Sequence, residues 1–236
     1  MDRLHVGYLG AYGNTWVRTP ALDRVAAEGV TFDAAFLESP NREQFCEACW
    51  LGRHAFGPRG AFELNRSLPA LLSARSVATR LVTDDPAVAA HPLAASFGEI
   101  IKLDLPMPVR PADAVEDTLL GQCFAQVLES LETTRVPFFH WCHFRALEYA
   151  WDAPLELRRI DWDEDDPEPP QAVAVPNRML PASYDPDELL GYRQVYAAQV
   201  CVLDACVEVL LDWLRTSAEG RETLLVVASP RGFPLG

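Results

Sequence analysis

Two cysteines stand one helical turn apart, and their spacing allows three interpretations: a zinc site, a redox pair or core packing. Cys46 and Cys49 form a C-x-x-C pair, which places both thiols on one face of a predicted helix over residues 43–51. A zinc site would need two further ligands, and no second pair stands at finger-like spacing. A redox pair stays open because helix placement can lower a thiol pKa. Packing as small buried side chains is the interpretation we favour.

Two histidines stand three residues apart in a segment that is predicted to be a buried strand. His140 and His143 lie within residues 137–144. Side chains alternate between the two faces of a strand, so these two histidines face opposite sides and cannot form one site. His140 is predicted to be a hydrogen-bonded residue of the core or of the layer behind a site.

The elements that position these residues alternate along the chain. Thr19 is predicted to cap the first helix, and Gly29 to end it in the left-handed conformation. The predicted helices cover residues 20–28, 43–51, 67–75, 113–133 and 187–217, and the predicted strands cover residues 30–36, 77–82, 97–103, 137–144 and 223–228. This order predicts an α/β fold with a mostly parallel central sheet and helices on both faces. Ligands bind at the carboxyl ends of strands in such sheets, which directs attention to residues 2–8, the loop after Pro40, and residues 229–232.

Length, composition and net charge limit the domain organisation and the classes of partner that the chain can have. With 236 residues, 49% of them hydrophobic, the chain can build one sizeable core, and residues 1–236 are predicted to form a single domain. A formal net charge of -14 argues against a nucleic-acid partner, since no basic stripe is available for phosphates. Residues 150–186 are acidic and rich in proline, which predicts an irregular surface excursion.

Hydropathy, the first residues and the cysteine spacing bear on the cellular compartment. No uninterrupted apolar run reaches the roughly 18 residues of a membrane span, and the sequence MDRLHVGYLG lacks a basic and then apolar secretion signal. Six irregularly spaced cysteines indicate reduced thiols rather than a disulfide framework. A cytoplasmic protein without a membrane partner is therefore predicted, and its oligomeric state is left open. A misassigned start would hide an N-terminal signal.

The segment from Leu9 to His54 carries the most specific pattern of the chain. Its LGAYG, TPALDRVAAEG and GRH sequences resemble the opening of the sulfatase family, within the alkaline-phosphatase-like superfamily of ester hydrolases. The resemblance continues in TDDP after Val82, WDAP at Trp151 and YAAQVCVLDACV in the last long helix. It implies a sulfatase-like fold and an ester hydrolase ancestry. The family has a strand before the first loop and a further C-terminal part, so the chain is expected to be a truncated member.

The nucleophile cassette departs from the family pattern. In sulfatases a Cys or Ser, followed two residues later by Pro and then by Arg, is converted to formylglycine. Counting back from the GRH sequence places Arg42 at the nucleophile position, with Glu43, Gln44 and Phe45 after it. Arginine is not a nucleophile at working pH. The resemblance therefore implies that the formylglycine mechanism has been lost.

The residues at the metal-ligand positions of the family also differ from the family pattern. DRLHVGYLG aligns with a family pattern like VDTLRADHLG, which places Asp2 on an acidic ligand position. A cation needs about six oxygen donors and Asp2 stands beside a terminus, so a solvated surface carboxylate is favoured over a metal ligand. In the last loop, LLVVASPRGFPLG resembles TLVVFTSDHGxxLG, with Pro230 in place of the aspartate and Arg231 in place of its neighbour. A guanidinium there would repel a cation.

A fourth segment, FFHWCHFRALEYAWDAP, resembles a family pattern like WIHxxxPHxPWDAP. His143 falls on the first histidine of this pattern, a position that contacts substrate in the family, and Glu148 replaces the second. His143 is therefore a candidate for ligand contact.

These substitutions suggest that guanidinium groups fill vacated charge positions. We therefore expect an anion pocket, and its candidate residues are Arg42, Arg53, His143 and Arg231, together with the helix N-terminus after Pro40. Guanidinium forks suit sulfate, phosphate or carboxylate, so a small anion or a sulfated or phosphorylated ligand is the expected partner. The alternative is that the arginines are simply exposed or salt-bridged.

The prediction for function is a sulfatase-like, non-hydrolytic pseudoenzyme without a cofactor. The alternative is an active sulfate or phosphate ester hydrolase with unorthodox residues, which would use calcium or another divalent cation at Asp2.

Overall fold

The computed structural model describes residues 1–37, 39–54, 63–160 and 162–234. Glu38, in the segment compared with the family, and Asp161, in the acidic segment 150–186, lie outside the described residues. The chain divides into two compact units. The sheet unit comprises Met1, Phe32–Leu105 and Gln126–Arg145, and the long-helix unit comprises Asp2–Thr31, Pro106–Ala125 and Ala146–Gly236.

The elements follow one another in an α/β order. The strands are β1 (Ala78–Thr83), β2 (Glu99–Lys102) and β3 (Phe138–His143). The α-helices are α1 (Pro20–Glu28), α2 (Arg42–Leu51), α3 (Leu68–Ser73), α4 (Pro86–Ala89), α5 (Leu119–Glu132), α6 (Leu155–Arg158), α7 (Pro186–Thr216) and α8 (Ala218–Arg221). Short 3-10 turns cover Val6–Tyr8, Gly10–Tyr12, Leu64–Arg66, Pro92–Ser96, Val115–Asp117 and Ala146–Glu148.

The sheet unit is built on three parallel strands in the order β2-β1-β3. Leu81 in the central strand pairs with Ile100 on one side and Trp141 on the other. Leu81 is fully buried and belongs to one core cluster with Cys46 and Trp50 of α2. The predicted α/β class with a parallel sheet is therefore confirmed, with three strands formed by the described residues.

Local signals explain where α2 begins and ends. The side chain of Asn41 accepts a hydrogen bond from the backbone N–H of Gln44 at 3.1 Å, which satisfies one free donor of the first turn. Gly52 ends the helix with a φ of 60°, a left-handed conformation in which glycine has no steric penalty. This geometry fixes Arg42 as the first residue of α2.

The long-helix unit is organised around α7. Asp185 caps the helix and Pro186 is its first residue, a position where proline is favoured. By length and hydropathy alone α7 could cross a membrane. However, 67% of its apolar 18-residue stretch is buried within the protein. Buried Gln194, Gln199 and Asp204 interrupt this apolar surface. Core packing therefore accounts for the apolar character of α7.

Two predicted strands are wrong. Residues 30–36 and 223–228 are described without strand pairing, and their apolar side chains are exposed, with Val30 at 80% and Leu224 at 87%. A strand requires a hydrogen-bonded neighbour, and the described residues do not supply one here. Side-chain pattern alone could not reveal that.

The capping interactions predicted for the two ends of α1 are also wrong. Thr19 occupies the capping position, but its hydroxyl accepts from the backbone of Gly10 and donates to Asp23 instead of capping the helix. The cap comes from Asp204 of α7, whose carboxylate accepts from the N–H groups of Ala21 at 3.1 Å and Leu22 at 2.8 Å. Gly29 has a φ of −116° and a ψ of −150°, so it is not left-handed.

The acidic segment is irregular over most of its length but is firmly anchored at its start. Trp151, Asp152 and Ala153 are buried, and so is Arg158 of α6. The Arg158 guanidinium donates to four backbone carbonyl groups, which belong to Trp151, Ala153, Pro170 and Ala172. The beginning of the excursion is therefore part of the core, contrary to the prediction of a surface loop.

Candidate functional site

The carboxyl end of the sheet gathers Arg42 and His143 around an aspartate. Asp85 follows β1, is only 2% exposed, and its Oδ1 accepts from the backbone N–H of Ala87 at 2.9 Å. Its Oδ2 lies 3.1 Å from Nη1 of Arg42 and 3.8 Å from Nε2 of His143. Two of the predicted site residues are thus brought together by a residue that sequence reasoning did not single out. Two consecutive aspartates after a buried strand were the signal that could have identified it.

The neighbouring Asp84 ties the ends of two strands together. Its carboxylate accepts from the backbone N–H of Arg145 at 2.8 Å and lies 3.4 Å from Nε of the same residue. Burial raises the pKa of the Asp84 carboxyl, and the hydrogen bonds from Arg145 oppose that rise. Asp84 therefore has a positioning role beside Asp85.

Arg53 lies at the other end of α2 from Arg42. Its backbone N–H donates to the carbonyl of Ala48 at 3.3 Å, just beyond the helix end, and Arg53 is exposed. A helix rises about 1.5 Å per residue, so the two arginines are on the order of 15 Å apart along α2. The structure therefore does not place Arg53 beside Arg42.

The cysteine pair has the properties of core residues. Cys46 is fully buried, and this burial raises the pKa of its thiol to about 12. Burial also raises the pKa of the Cys49 thiol. Both thiols are free, and a neutral thiol is a poor nucleophile and redox group. Core packing is confirmed for Cys46.

A second cluster, in the long-helix unit, is centred on Arg231. Its Nε donates to Oδ1 of Asp2 and its Nη2 to Oδ2, both at 2.9 Å. Nη2 also donates to Oε1 of Glu148 at 2.6 Å. Asp2 is fully buried, so the favoured expectation of a solvated surface carboxylate is wrong. The hydrogen bonds and the charges of both carboxylates raise the pKa of Arg231.

The backbone around Arg3 holds this cluster in place. Arg3 forms a parallel bridge with Gly232, and its carbonyl accepts from the hydroxyl of Tyr196 at 2.6 Å. Arg3 has a φ of 68°, a left-handed conformation that costs a non-glycine residue on the order of 1 kcal/mol. Its guanidinium lies 5.6 Å above the ring of Phe233 and 3.7 Å from Glu148. These contacts bring residues from both ends of the chain to one place.

This second cluster does not fit a divalent cation. The Arg231 guanidinium already bonds both Asp2 and Glu148, so a cation between these carboxylates would meet a fixed positive charge. Within the described residues no group of three or more His, Cys, Asp or Glu side chains could hold a metal ion. The arrangement is an internal ion-pair network.

Comparisons with known proteins bear on the fold. No protein-family model matches the chain, and no curated protein matches it. Among solved structures, it is similar to a phosphonate monoester hydrolase of Agrobacterium radiobacter, with a TM-score of 0.69 and 13% identity over 98% of this chain and 61% of that one. It is also similar to the C-terminal periplasmic domain of EcEptC from Escherichia coli, with a TM-score of 0.57 and 14% identity over 91% of this chain and 57% of that one. The zinc complex of the same domain matches with a TM-score of 0.56 and 14% identity, over 89% and 56% of the two chains.

The chain therefore spans less than two thirds of the solved structures that it resembles. At these identities the likeness shows the fold alone. The chain has an α/β fold of the alkaline-phosphatase-like type.

Proposed function

We propose that this chain is a non-hydrolytic domain of the alkaline-phosphatase-like fold, which serves binding or interaction instead of ester hydrolysis. The observation that carries the proposal is the position of Arg231. A guanidinium bonds Asp2, which aligns with an acidic metal-ligand position of the sulfatases, and Glu148, which replaces a histidine of the family pattern. Without a cation there, the chain has no Lewis acid at this place for a developing negative charge on an ester oxygen.

The other half of the proposal concerns the nucleophile. Arg42 aligns with the residue that is converted to formylglycine in sulfatases, and it is paired with buried Asp85. A guanidinium stays protonated at any working pH and cannot attack sulfur or phosphorus. Asp85 itself is engaged by Arg42 and by the backbone N–H of Ala87, and His143 lies within 3.8 Å of it.

A small anion, such as sulfate or phosphate, is the ligand that we propose for the sheet unit. Arg42 is the first residue of the ten-residue helix α2, where free N–H groups and the helix dipole favour negative charge. Its side chain is 28% exposed, so solvent reaches it. In the long-helix unit, Nε and Nη2 of Arg231 are already used by carboxylates. Arg42 is the principal donor that we propose, and an anion bound there would compete with Asp85 for its guanidinium.

An activity assay tests the loss of hydrolysis. Aryl sulfates, aryl phosphates and aryl phosphonate monoesters are each incubated with the protein and calcium, magnesium or manganese. The expected result is no turnover above the uncatalysed rate. Metal-dependent turnover that disappears in Asp2→Ala, with a cooperative melt retained in that variant, would establish the alternative of an active hydrolase.

A thermal melt tests the anion pocket independently. Millimolar sulfate or phosphate is expected to raise the Tm of the wild type and not of Arg42→Gln. Arg66→Gln is the matched control, since Arg66 is an exposed arginine of the same unit and pairs with exposed Glu63. An unchanged wild-type Tm would remove the pocket but leave the non-hydrolytic proposal standing.

A further inference from the structure

The two carboxylate oxygens of Asp85 differ in their hydrogen bonding. Oδ1 accepts from the backbone N–H of Ala87 at 2.9 Å, in the first turn of α4. Among the described residues, no N–H or O–H group donates a hydrogen bond to Oδ2, although this atom is buried. Asp85 as a whole is only 2% exposed, and buried polar atoms normally have a hydrogen-bond partner. Oδ2 is therefore a buried acceptor that a ligand with a donor group would satisfy.

The cationic group beside Oδ2 does not supply that hydrogen bond. Nη1 of Arg42 lies 3.1 Å from Oδ2, but this ion pair lacks hydrogen-bond geometry. Nε2 of His143 lies 3.8 Å from the same oxygen, which is longer than a hydrogen bond. Arg42 therefore balances the charge of Asp85 but leaves the hydrogen-bonding capacity of Oδ2 unused.

The other titratable groups around Asp85 do not remove its negative charge. Cys46 of α2 interacts with it electrostatically, but burial raises the pKa of the Cys46 thiol to about 12, so this group is neutral at working pH. Asp84 precedes Asp85 and adds the charge of a second carboxyl group. Arg42 at the start of α2 and His143 at the end of β3 complete the surroundings. An anion that binds Arg42 therefore approaches a buried carboxylate.

An oxyanion bound to Arg42 also comes within reach of Oδ2. The Arg42 side chain is 28% exposed, so an anion reaches it from solvent. An oxygen that accepts from Nη1 lies within about 6 Å of Oδ2, because each of the two contacts is about 3 Å long. A tetrahedral anion then directs another of its oxygens toward Oδ2. Two unprotonated oxygens would repel each other there, whereas a hydroxyl group of the anion would donate a hydrogen bond.

We propose that Asp85 makes the Arg42 pocket selective for oxyanions that keep an acidic proton, such as inorganic phosphate and phosphate monoester monoanions, over sulfate. The unprotonated oxygens accept from Arg42, and the P–OH group donates to Oδ2 of Asp85. At neutral pH phosphate keeps at least one proton, whereas sulfate has none. A site that hydrogen-bonds a ligand hydroxyl rejects an analogue without it, because the buried polar group then stays unpaired. This inference rests on the anion pocket proposed above and narrows its ligand class.

Thermal melts at a series of ligand concentrations test the selectivity. Phosphate and sulfate are titrated at about pH 7, with chloride holding the ionic strength constant, and the Kd follows from the rise in Tm. In the wild type, we expect phosphate to bind at least about tenfold more tightly than sulfate. Asp85→Asn keeps the size of the side chain and an acceptor for Ala87 but removes the charge. Sulfate should then gain affinity, and the two Kd values should agree within about threefold.

Glu43→Gln is the matched control for the change in charge. Glu43 follows Arg42 in the first turn of α2 and is exposed. Its replacement removes one negative charge beside the pocket but leaves Asp85 in place. The affinity for both anions should change alike, so the preference for phosphate should be retained.

Methyl phosphate provides a test within the wild type, which decides the question even if Asp85→Asn fails to fold. A phosphate monoester loses its last proton with a pKa of about 6, whereas inorganic phosphate keeps one until strongly alkaline pH. From about pH 5 to about pH 8, the affinity for methyl phosphate should fall at least about tenfold relative to that for phosphate. The ratio of the two affinities cancels the titration of protein groups such as His143.

The results separate this inference from the pocket on which it rests. No rise in Tm with either anion would remove both. Equal wild-type affinities for phosphate and sulfate, or a methyl phosphate ratio that does not vary with pH, would overturn the inference and leave the Arg42 pocket standing. A preference that Glu43→Gln abolishes as fully as Asp85→Asn would also overturn it, because nearby charge and not Oδ2 would then set the preference.

Discussion

Arg231 donates two parallel hydrogen bonds to Asp2, from Nε to Oδ1 and from Nη2 to Oδ2, each 2.9 Å long. The two residues are 229 positions apart in the sequence. This bidentate geometry is the strongest that a guanidinium and a carboxylate can form. Asp2 is fully buried while the Arg231 side chain is 24% exposed. The pair therefore anchors the amino-terminal segment to the last loop of the long-helix unit.

Removal of this guanidinium should destabilise the protein. In Arg231→Met, buried Asp2 loses its charged partner, and we expect a loss of about 2–4 kcal/mol in the free energy of unfolding at pH 7. Arg231→Lys keeps the charge but not the fork, and should lose about half as much. Urea denaturation followed by circular dichroism measures both.

The control for this pair is the exposed contact between Arg110 and Asp113, at 2.8 Å. Its loss in Arg110→Met should leave the urea midpoint nearly unchanged, because exposed ion pairs contribute little. A similar cost in both arginine variants would show that Arg231 has no special structural role.

Arg158→Met is expected to release the acidic segment. Four carbonyl groups that now accept from one buried guanidinium would lose their donor, at a cost of about 3 kcal/mol or more. Limited proteolysis should then cut within residues 162–185 much faster than in the wild type. Arg159→Met removes an exposed pair with Glu168 and should leave the proteolysis rate unchanged.

Asp204 should give a pH dependence of recognisable sign. Burial raises the pKa of its carboxyl above the ordinary 3.8, opposed by hydrogen bonds from Leu22 and Ala21. The folded state thus holds the proton more tightly than the unfolded state. The stability that this group contributes is fully present below pH 3.8 and is lost as the pH rises through the raised value. The cost of Asp204→Asn should therefore be larger at pH 4 than at pH 7.

Asp113 provides a comparison of opposite sign, because Arg110 lowers the pKa of its carboxyl. The cost of Asp113→Asn should be small and should grow with pH instead. Urea midpoints of both variants and the wild type from about pH 3 to pH 7 measure these trends, and the change for Asp113 lies at the acidic end of that range. A cost of Asp204→Asn that increases with pH would mean that hydrogen bonding, not burial, dominates its titration.

The Cys46 thiol should resist alkylation in the folded protein. Its pKa of about 12 leaves very little thiolate at pH 8, and the side chain is inaccessible. Iodoacetamide labelling followed by peptide mass spectrometry should show Cys46 unmodified until urea unfolds the chain. Rapid labelling of folded protein would restore the redox interpretation of the C-x-x-C pair.

The sequence was sufficient for the strands that have partners within the described chain. Residues 77–82 and 137–144 were predicted as strands, and the structure has Ala78–Thr83 and Phe138–His143. Residues 223–228 carry the same β-branched composition, yet pairing depends on a neighbour elsewhere in the chain. That is a non-local condition which periodicity does not express.

The candidate site residues could likewise be predicted only in part from the sequence. Alignment drew attention to Arg42 and Arg231 as charge replacements, but their actual partners, Asp85, Asp2 and Glu148, follow from tertiary geometry. Asp2 was expected to be solvated because it is adjacent to the terminus. The parallel bridge between Arg3 and Gly232 instead carries it into the interior. Burial of a terminal residue cannot be read from its position in the chain.

The positive charge between Asp2 and Glu148 is covalently part of the polypeptide. A bound ion occupies its site according to its concentration, and its contribution to stability follows mass action. A guanidinium that is part of the polypeptide cannot leave for the solvent as a bound ion can, so its occupancy of the site does not depend on any ion concentration. The network is thus complete in the presence of strong chelators, and the Tm of the protein should be the same in millimolar EDTA as in millimolar calcium.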